Sequence, residues 1–463
     1  MKSQLSVLTL CLLLSACASP DPRPQSSIAP PASWQSPHTA AARDNAQWWT
    51  RFGSRELDGL IEQARVGSYD LAAAVARVRQ AQADSVIAGG SQLPEVKAGA
   101  TANRQKLLRG KGYSQLDVDD TDKAVDYFDA NLSARYEIDF WGGQRAARDS
   151  ARFSLQASEF DQATVELTLL SGVANSYAQA LSLREQGRIA ELNLANAQRV
   201  LKLVQTRYDA GSATALELAQ QKSLVAAQQR QLPTVQQQVQ EARISLAALL
   251  GRPVQKLPPL DENFAHLQWP TIGSGVPSDL LSRRPDIARA EAQLAAAQAN
   301  VTVARAAMLP AVTLGAALGS GSNVAAELFR SPFYTLTSGL AAPIFNNGRL
   351  GAERDKATAV QEELLESYRA SIINGFADVE KALNSIRGLD EQRQWQSEEL
   401  AQAQTAFTLA QSRYEAGAED LLTVLETQRT LYAAQDLNVQ LRLSRLQASI
   451  ALYKALGGGW QVL

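Results

Sequence analysis

The sequence predicts a mainly α protein with a small β part, built from one unit written twice. Three observations carry this. Long stretches rich in Ala, Gln, Leu and Glu hold almost no proline, two stretches recur at constant offsets, and short alternating segments such as FDANLSARYEIDF at 128–140 interrupt the helical composition. A formal net charge of -2 over 463 residues gives no basis for nucleic-acid binding.

The chain opens MKSQLSVLTLCLLLSAC, with Lys2 as a short positive region and Leu5 to Leu14 as an apolar one. That is the pattern of a secretory signal, too short to span a bilayer as a helix. Leu14-Ser15-Ala16-Cys17 resembles a bacterial lipobox. The resemblance implies that residues 1–16 are removed and that Cys17 carries a covalent lipid. Ala18, where an Asp would signal inner-membrane retention, favours the outer membrane. The alternative is an ordinary signal with an incidental cysteine. Cys11 would leave with the signal, so no internal disulfide is expected. Residues 17–50 carry Pro20, Pro22, Pro24, Pro30, Pro31 and Pro37, and read as an extended tether rather than a packed element.

A first repeat at 51–284 and a second at 285–463 then share one order of elements. AQADSVIAGGSQLPEVKAGA at 81–100 matches AQANVTVARAAMLPAVTLGA at 297–316, offset by 216. In each, an Ala-rich helix stops near a proline and an alternating segment follows. RYDAGSATALEL at 207–218 matches RYEAGAEDLLTV at 413–424, offset by 206. Gly211 and Gly417 suit the left-handed residue that ends a helix. Thr214 with Glu217 reads as a capping box, and Asp420 as an N-cap. Each copy therefore holds a helical hairpin, at about 144–250 and about 349–456, with Pro233 interrupting the first return arm. Some 65 residues per long arm give roughly 100 Å, a length that needs lateral partners.

Four strands are expected, at about 95–105, 126–140, 311–319 and 333–344. In the second, Phe128, Leu132, Tyr136 and Phe140 share an apolar face, and Asp129, Arg135, Glu137 and Asp139 lie opposite. Strands near ten residues suit a tilted bilayer crossing, and no run of 18 apolar residues follows the signal. Four strands cannot close a membrane barrel, so the chain must oligomerise to complete one.

These features resemble the outer membrane factors of tripartite efflux and secretion systems, the TolC and OprM-like family. The carrying segments are QWWTRFGSRELDGLIEQA, YEIDFWGGQRAARDSA, LLSRRPDIARAEAQLAAAQANVTVARAAMLPAVTL and the two RY-x-AG turns. The resemblance implies a homotrimer, a shared 12-stranded barrel, an α-helical tunnel across the periplasm, and an equatorial belt from 251–284 and the C-terminal tail. It also implies a periplasmic adaptor and an inner-membrane transporter, of the resistance-nodulation-division type, as partners. The adaptor would contact the hairpin tips Ala210, Gly211, Ser212, Ala416, Gly417 and Ala418. By motif the family's periplasmic gate falls on Leu422, Glu426, Arg429 and Tyr414. The first hairpin has Gln220 and Ser223 where the second has Glu426 and Arg429. Three Leu422 side chains around an axis would narrow and dewet a channel, and three Glu426 carboxylates would favour cations. The alternative is a solvated i,i+3 pair on a helix surface.

An enzyme is not expected. The two histidines are His38 and His266, and no cysteine remains for a metal or a nucleophile. No cofactor is expected beyond the lipid. DVDDTDKAVDYF at 117–128 fails the calcium-loop pattern at Asp122 and Phe128, and reads as an exposed loop. A periplasmic adaptor or structural coiled-coil lipoprotein is the rival, but an adaptor would carry one hairpin and no lipid-facing strands. After Met1 the only methionine is Met308, which favours organic cargo over copper or silver.

Overall fold

A computed structural model describes residues 26–36, 47–106 and 124–460. Cys17 and the acidic loop up to residue 123 lie outside them. The protein is mainly helical with one small antiparallel sheet. Its described residues divide into two compact units, one of 78–106, 124–158 and 290–368, the other of 27–36, 47–77, 159–289 and 369–460. Each unit draws on both sequence copies.

The first unit holds the sheet: β1 (Glu95–Gln105), β2 (Val125–Ile138), β3 (Ala311–Ser322) and β4 (Pro332–Ala341), hydrogen-bonded in chain order. All pairings are antiparallel, with Ala98 opposite Leu132, Leu132 opposite Leu318, and Leu318 opposite Tyr334. Joining β2 to β3 unites the two copies in one sheet. β2 ends at Ile138, so Asp139 and Phe140 lie beyond the strand expected to contain them. Asp139 has a different task from facing a wet wall. Its carboxylate accepts from the Gln144 and Arg145 amides at 3.0 and 2.8 Å. It thereby satisfies the free N–H groups that open the next helix.

The helices are α1 (Arg55–Gly67), α2 (Tyr69–Gly90), α3 (Gly143–Asp209), α4 (Ala215–Leu249), α5 (Pro277–Arg283), α6 (Pro285–Ala306), α7 (Arg349–Glu415) and α8 (Leu421–Ala455). α4 runs through Pro233 without a break, contrary to the interruption expected there. The Pro233 ring is exposed, so water can reach the carbonyl it leaves unpaired. Packing along the rest of the helix outweighs the local penalty.

In the second unit the copies meet their own helical corners alike. Gly251 and Gly457 follow the two return arms with φ of +66° and +89°. A Cβ on either would collide with a carbonyl oxygen, of Gly67 at the end of α1 or of Arg283 at the end of α5. Only glycine admits that approach. Arg284, just after α5, grips Asp286 at 2.6 Å and the Ala455 carbonyl at 3.2 Å. Burial alone would raise the Asp286 pKa, but Arg284 holds it below its ordinary value.

The tether expectation needs correction. Residues 26–36 form no helix or strand, yet Trp34 is buried and donates from Nε1 to the Gly275 carbonyl at 3.0 Å. Its ring meets Phe376 edge-on, with centroids 6.3 Å apart. Further on, Trp48 stacks on Tyr453 at 5.2 Å. Proline sets the local conformation, but a buried indole contributes enough apolar area to dock the segment.

Candidate functional site

The sheet register sorts every strand residue by parity. Even-numbered residues occupy one face throughout: Val96 and Ala98 on β1, Phe128, Leu132 and Tyr136 on β2, Leu314 and Leu318 on β3, Leu336 and Leu340 on β4. Leu132, Leu318, Leu336 and Leu340 are each at least half exposed, which a water-facing sheet does not tolerate over such an area. At ~3.3 Å per residue and a tilt of ~40°, Phe128 to Ile138 spans roughly 25 Å, the height of a barrel's lipid-facing band. The band stops where Arg104 pairs with Asp126 at 3.8 Å on the same face. Odd-numbered residues form the other face, with Lys97, Asn103, Asp129, Asn131, Arg135 and Glu137. Among the described residues, β1 and β4 each keep one unpaired edge. Phe128, Leu132 and Tyr136 thus lie on the apolar face, while Phe140 lies past the strand.

The hairpin ends carry the other candidate residues. Gly211 and Gly417 adopt φ of +75° and +78°. The Gly211 and Ser212 amides donate to the Tyr208 and Arg207 carbonyls, at 2.9 and 2.8 Å. Gly417 and Ala418 repeat this on Tyr414 and Arg413, at 3.0 and 2.9 Å. Both are Schellman ends, which use up the last free carbonyls of α3 and α7. Thr214 and Glu217 then form a reciprocal capping box, and Asp420 accepts from the Thr423 amide at 2.9 Å. Hydrogen bonds from that amide and from the Thr423 hydroxyl hold the Asp420 pKa below its ordinary value.

Within this matched frame the two arginines part. Arg207 Nη1 donates to the Tyr414 carbonyl at 2.7 Å, and its guanidinium lies 4.6 Å from the Tyr414 ring centroid. Its counterpart Arg413 stays in its own turn, 3.3 Å from Glu419. Tyr414 is in consequence 3% exposed, whereas its counterpart Tyr208 is 40% exposed. Burial raises the Tyr414 hydroxyl pKa, with Arg207 opposing. Deeper in the bundle, buried Gln428 donates to Tyr432 Oη at 2.6 Å, and that hydroxyl donates to the Asn193 carbonyl at 2.8 Å. Burial pushes the Tyr432 pKa up to about 12. α8 is thereby tied to α3 by hydrogen bonds inside an apolar core that includes Val204, Phe407, Leu421 and Val424.

α8 has a second face. Leu421, Val424, Leu425 and Gln428 point into that core, while Leu422, Glu426 and Arg429 are exposed, spaced i, i+4, i+7 along one stripe. Among the described residues no bond joins the Glu426 and Arg429 side chains within one chain. Nor is Tyr414 brought to them; it is buried against Arg207 instead. Sequence reasoning passed over Arg207, Gln428 and Tyr432. Arg207 stands inside the recurring RY-x-AG motif, but served there only to mark the repeat.

A sheet with a bilayer-high apolar face and two free edges, in a chain with two capped helical hairpins, defines a membrane channel of the outer-membrane kind. The chain belongs to the outer membrane efflux protein family, whose model matches residues 60–252 and 276–458. It is 62% identical over 461 residues to the pyoverdine export outer membrane protein OpmQ of Pseudomonas aeruginosa, covering 99% of this chain and 97% of that protein. It is 31% identical over 420 residues to the cation efflux system protein CusC of Escherichia coli, covering 90% of this chain and 89% of that one. The solved outer-membrane channel OprN superposes with a TM-score of 0.88 at 26% identity, over 95% of this chain and 99% of that one. The protein is an outer-membrane efflux channel and not an enzyme.

Proposed function

We propose that three copies join β4 of one to β1 of the next and close a 12-stranded barrel. The observation that carries this is the continuous even-numbered apolar face between two unpaired edges. Two copies would make eight strands, a barrel whose interior side chains fill it. Three is the smallest number that leaves room for water around Lys97, Arg135 and Glu137.

The hairpins of the three copies form the periplasmic part of the duct and close it at rest. Leu422, Glu426 and Arg429 face the axis, and Tyr414 supports them from within the bundle. Ala210, Gly211, Ser212, Ala416, Gly417 and Ala418 meet a periplasmic adaptor, which links the duct to an inner-membrane transporter of the resistance-nodulation-division type. Acylated Cys17 anchors the chain in the outer membrane. Residues 1–16 are its signal peptide, and 251–284 with the tail form the equatorial belt.

The cargo we assign is a pyoverdine-type siderophore, on the 62% identity to OpmQ over nearly the whole of both chains. The near-absence of methionine, Met308 alone after Met1, fits organic cargo better than the copper or silver ions of a methionine relay. The deciding experiment reconstitutes the protein in planar lipid bilayers and compares wild type with Glu426→Ala/Arg429→Ala. Wild type should give small, mostly closed conductance and the double variant a larger one. No conductance in either would remove the pore, and an open wild type unchanged by the substitutions would remove the gate. For cargo, pyoverdine-producing cells lacking their own export channel should regain pyoverdine in the supernatant when this chain is expressed. Unchanged retention would reject the assignment.

A further inference from the structure

Two aromatic side chains stand on the polar face of the sheet, where the barrel reading has no use for them. Tyr127 and Phe333 are odd-numbered, on the side of Lys97, Asp129 and Glu137, and are 43% and 47% exposed. Both sit near the strand ends away from α2 and α3, since β1 runs toward Gln105 and β4 starts at Pro332. Each lies across a glycine of β3. A Cβ on Gly319 would come 2.8 Å from Phe333 Cζ, and one on Gly321 would come 2.5 Å from Tyr127 Oη. The two glycines are two residues apart on the same face, so the rings lie close along one wall.

A ring laid over a glycine shields the backbone across a strand pair, and that alone is a structural role. It accounts for the near side of each ring. It leaves unexplained why the far side stays open to water on a face otherwise made of polar residues with interspersed glycine and alanine. Polar groups flank the rings: Asn103 stands opposite Tyr127, and Asn131 donates to Asp129 at 2.7 Å on the neighbouring positions. Open aromatic faces within reach of hydrogen-bonding side chains are what a flat solute with a polar rim stacks on.

We infer that Tyr127 and Phe333 form a stacking site for planar aromatic solutes on the wet wall of the barrel, six rings in all when three copies close. The site delays such solutes near the outer mouth and makes the duct sensitive to their shape. This rests on the barrel reading above.

The test records single channels of the full-length protein in planar bilayers, with naphthalene-2-sulfonate or cyclohexanesulfonate added on the outer side. The two probes share a charge and differ in having a flat ring. Wild type should be blocked by the naphthalene probe at about tenfold lower concentration, the scale of one good ring–ring contact. Tyr127→Leu/Phe333→Leu should make the two probes equal while leaving the unblocked conductance in place, and Tyr127→Phe should retain the preference. Equal block of wild type by both probes, or a preference that survives the double leucine variant, overturns the inference. Absence of any unitary current overturns the barrel reading itself, and the stacking site with it.

Discussion

Replacing Arg207 with alanine removes a side chain that bonds the end of the first hairpin to the end of the second. Its hydrogen bond to the Tyr414 carbonyl, 2.7 Å long, is charge-assisted and part-buried. Bonds to charged groups contribute about 1.5–3 kcal/mol, and partial exposure argues for the lower end. The guanidinium at 4.6 Å from the Tyr414 ring centroid adds roughly 0.5–1 kcal/mol. The loss per chain is then about 2 kcal/mol. If opening separates the two hairpins, the closed state alone loses that stabilisation, and the open-to-closed ratio rises roughly thirtyfold for each chain that carries the substitution. The same chain supplies its own control. Arg413 occupies the matching position but bonds within its own turn, to Glu419 at 3.3 Å, so its contact is unchanged by any movement between hairpins. Open probability in planar bilayers should therefore rise in Arg207→Ala and stay within about twofold of wild type in Arg413→Ala. Equal effects from the two arginines, or no effect from Arg207, would refute a latch between the hairpins.

Three further outcomes follow from the packing. Gly251→Ala forces a Cβ into the Gly67 carbonyl at a positive φ, and should destabilise the second unit by roughly 2–4 kcal/mol, read as a lowered thermal midpoint in detergent. Pro233→Ala restores a helical hydrogen bond at an exposed site in α4, and should stabilise by up to about 3 kcal/mol in denaturant unfolding. Asp286 has a depressed pKa in the folded state, so its contribution is present above the ordinary value of 3.8 and is lost as pH falls through the lower folded value. Hydrogen-exchange protection at the start of α6, corrected for the intrinsic rate at each pH, should fall below about pH 4 in wild type and already be lower at neutral pH in Asp286→Asn.

What the sequence disclosed was whatever a short window holds. The alternation around Leu132 and Tyr136 needs only a period of two, and the capping box of Thr214 with Glu217 needs only four residues. Long helices announce themselves by the absence of proline and glycine. What stayed hidden depends on residues far apart in the chain. No local pattern says that β2 pairs with β3, or that Trp34 finds the carbonyl of Gly275. Pro233 suggests a break that α4 does not show, because propensity is a local quantity and helix packing is not. Asp139 fits the strand's alternation, yet its carboxylate is used by the helix that starts four residues later.

The duplication explains which parts of the site could be read and which could not. Where both copies must solve one geometric problem, they use one residue: Gly251 and Gly457 at the helical corners, Gly211 and Gly417 at the tips. These are backbone demands, and each copy meets them separately. Arg207 and Arg413 are also the same residue, but their partners differ because each hairpin has a different neighbour. Identity in sequence therefore hides a difference in role, and the difference arises only when the two hairpins pack together. The converse holds along the return arms. Gln220 and Ser223 became Glu426 and Arg429 on an exposed stripe, where packing exerts little constraint and side-chain chemistry is free to change. The exposed stripe of Leu422, Glu426 and Arg429 on α8, and the bond from Arg207 on α3 to Tyr414 on α7, are where the two copies part.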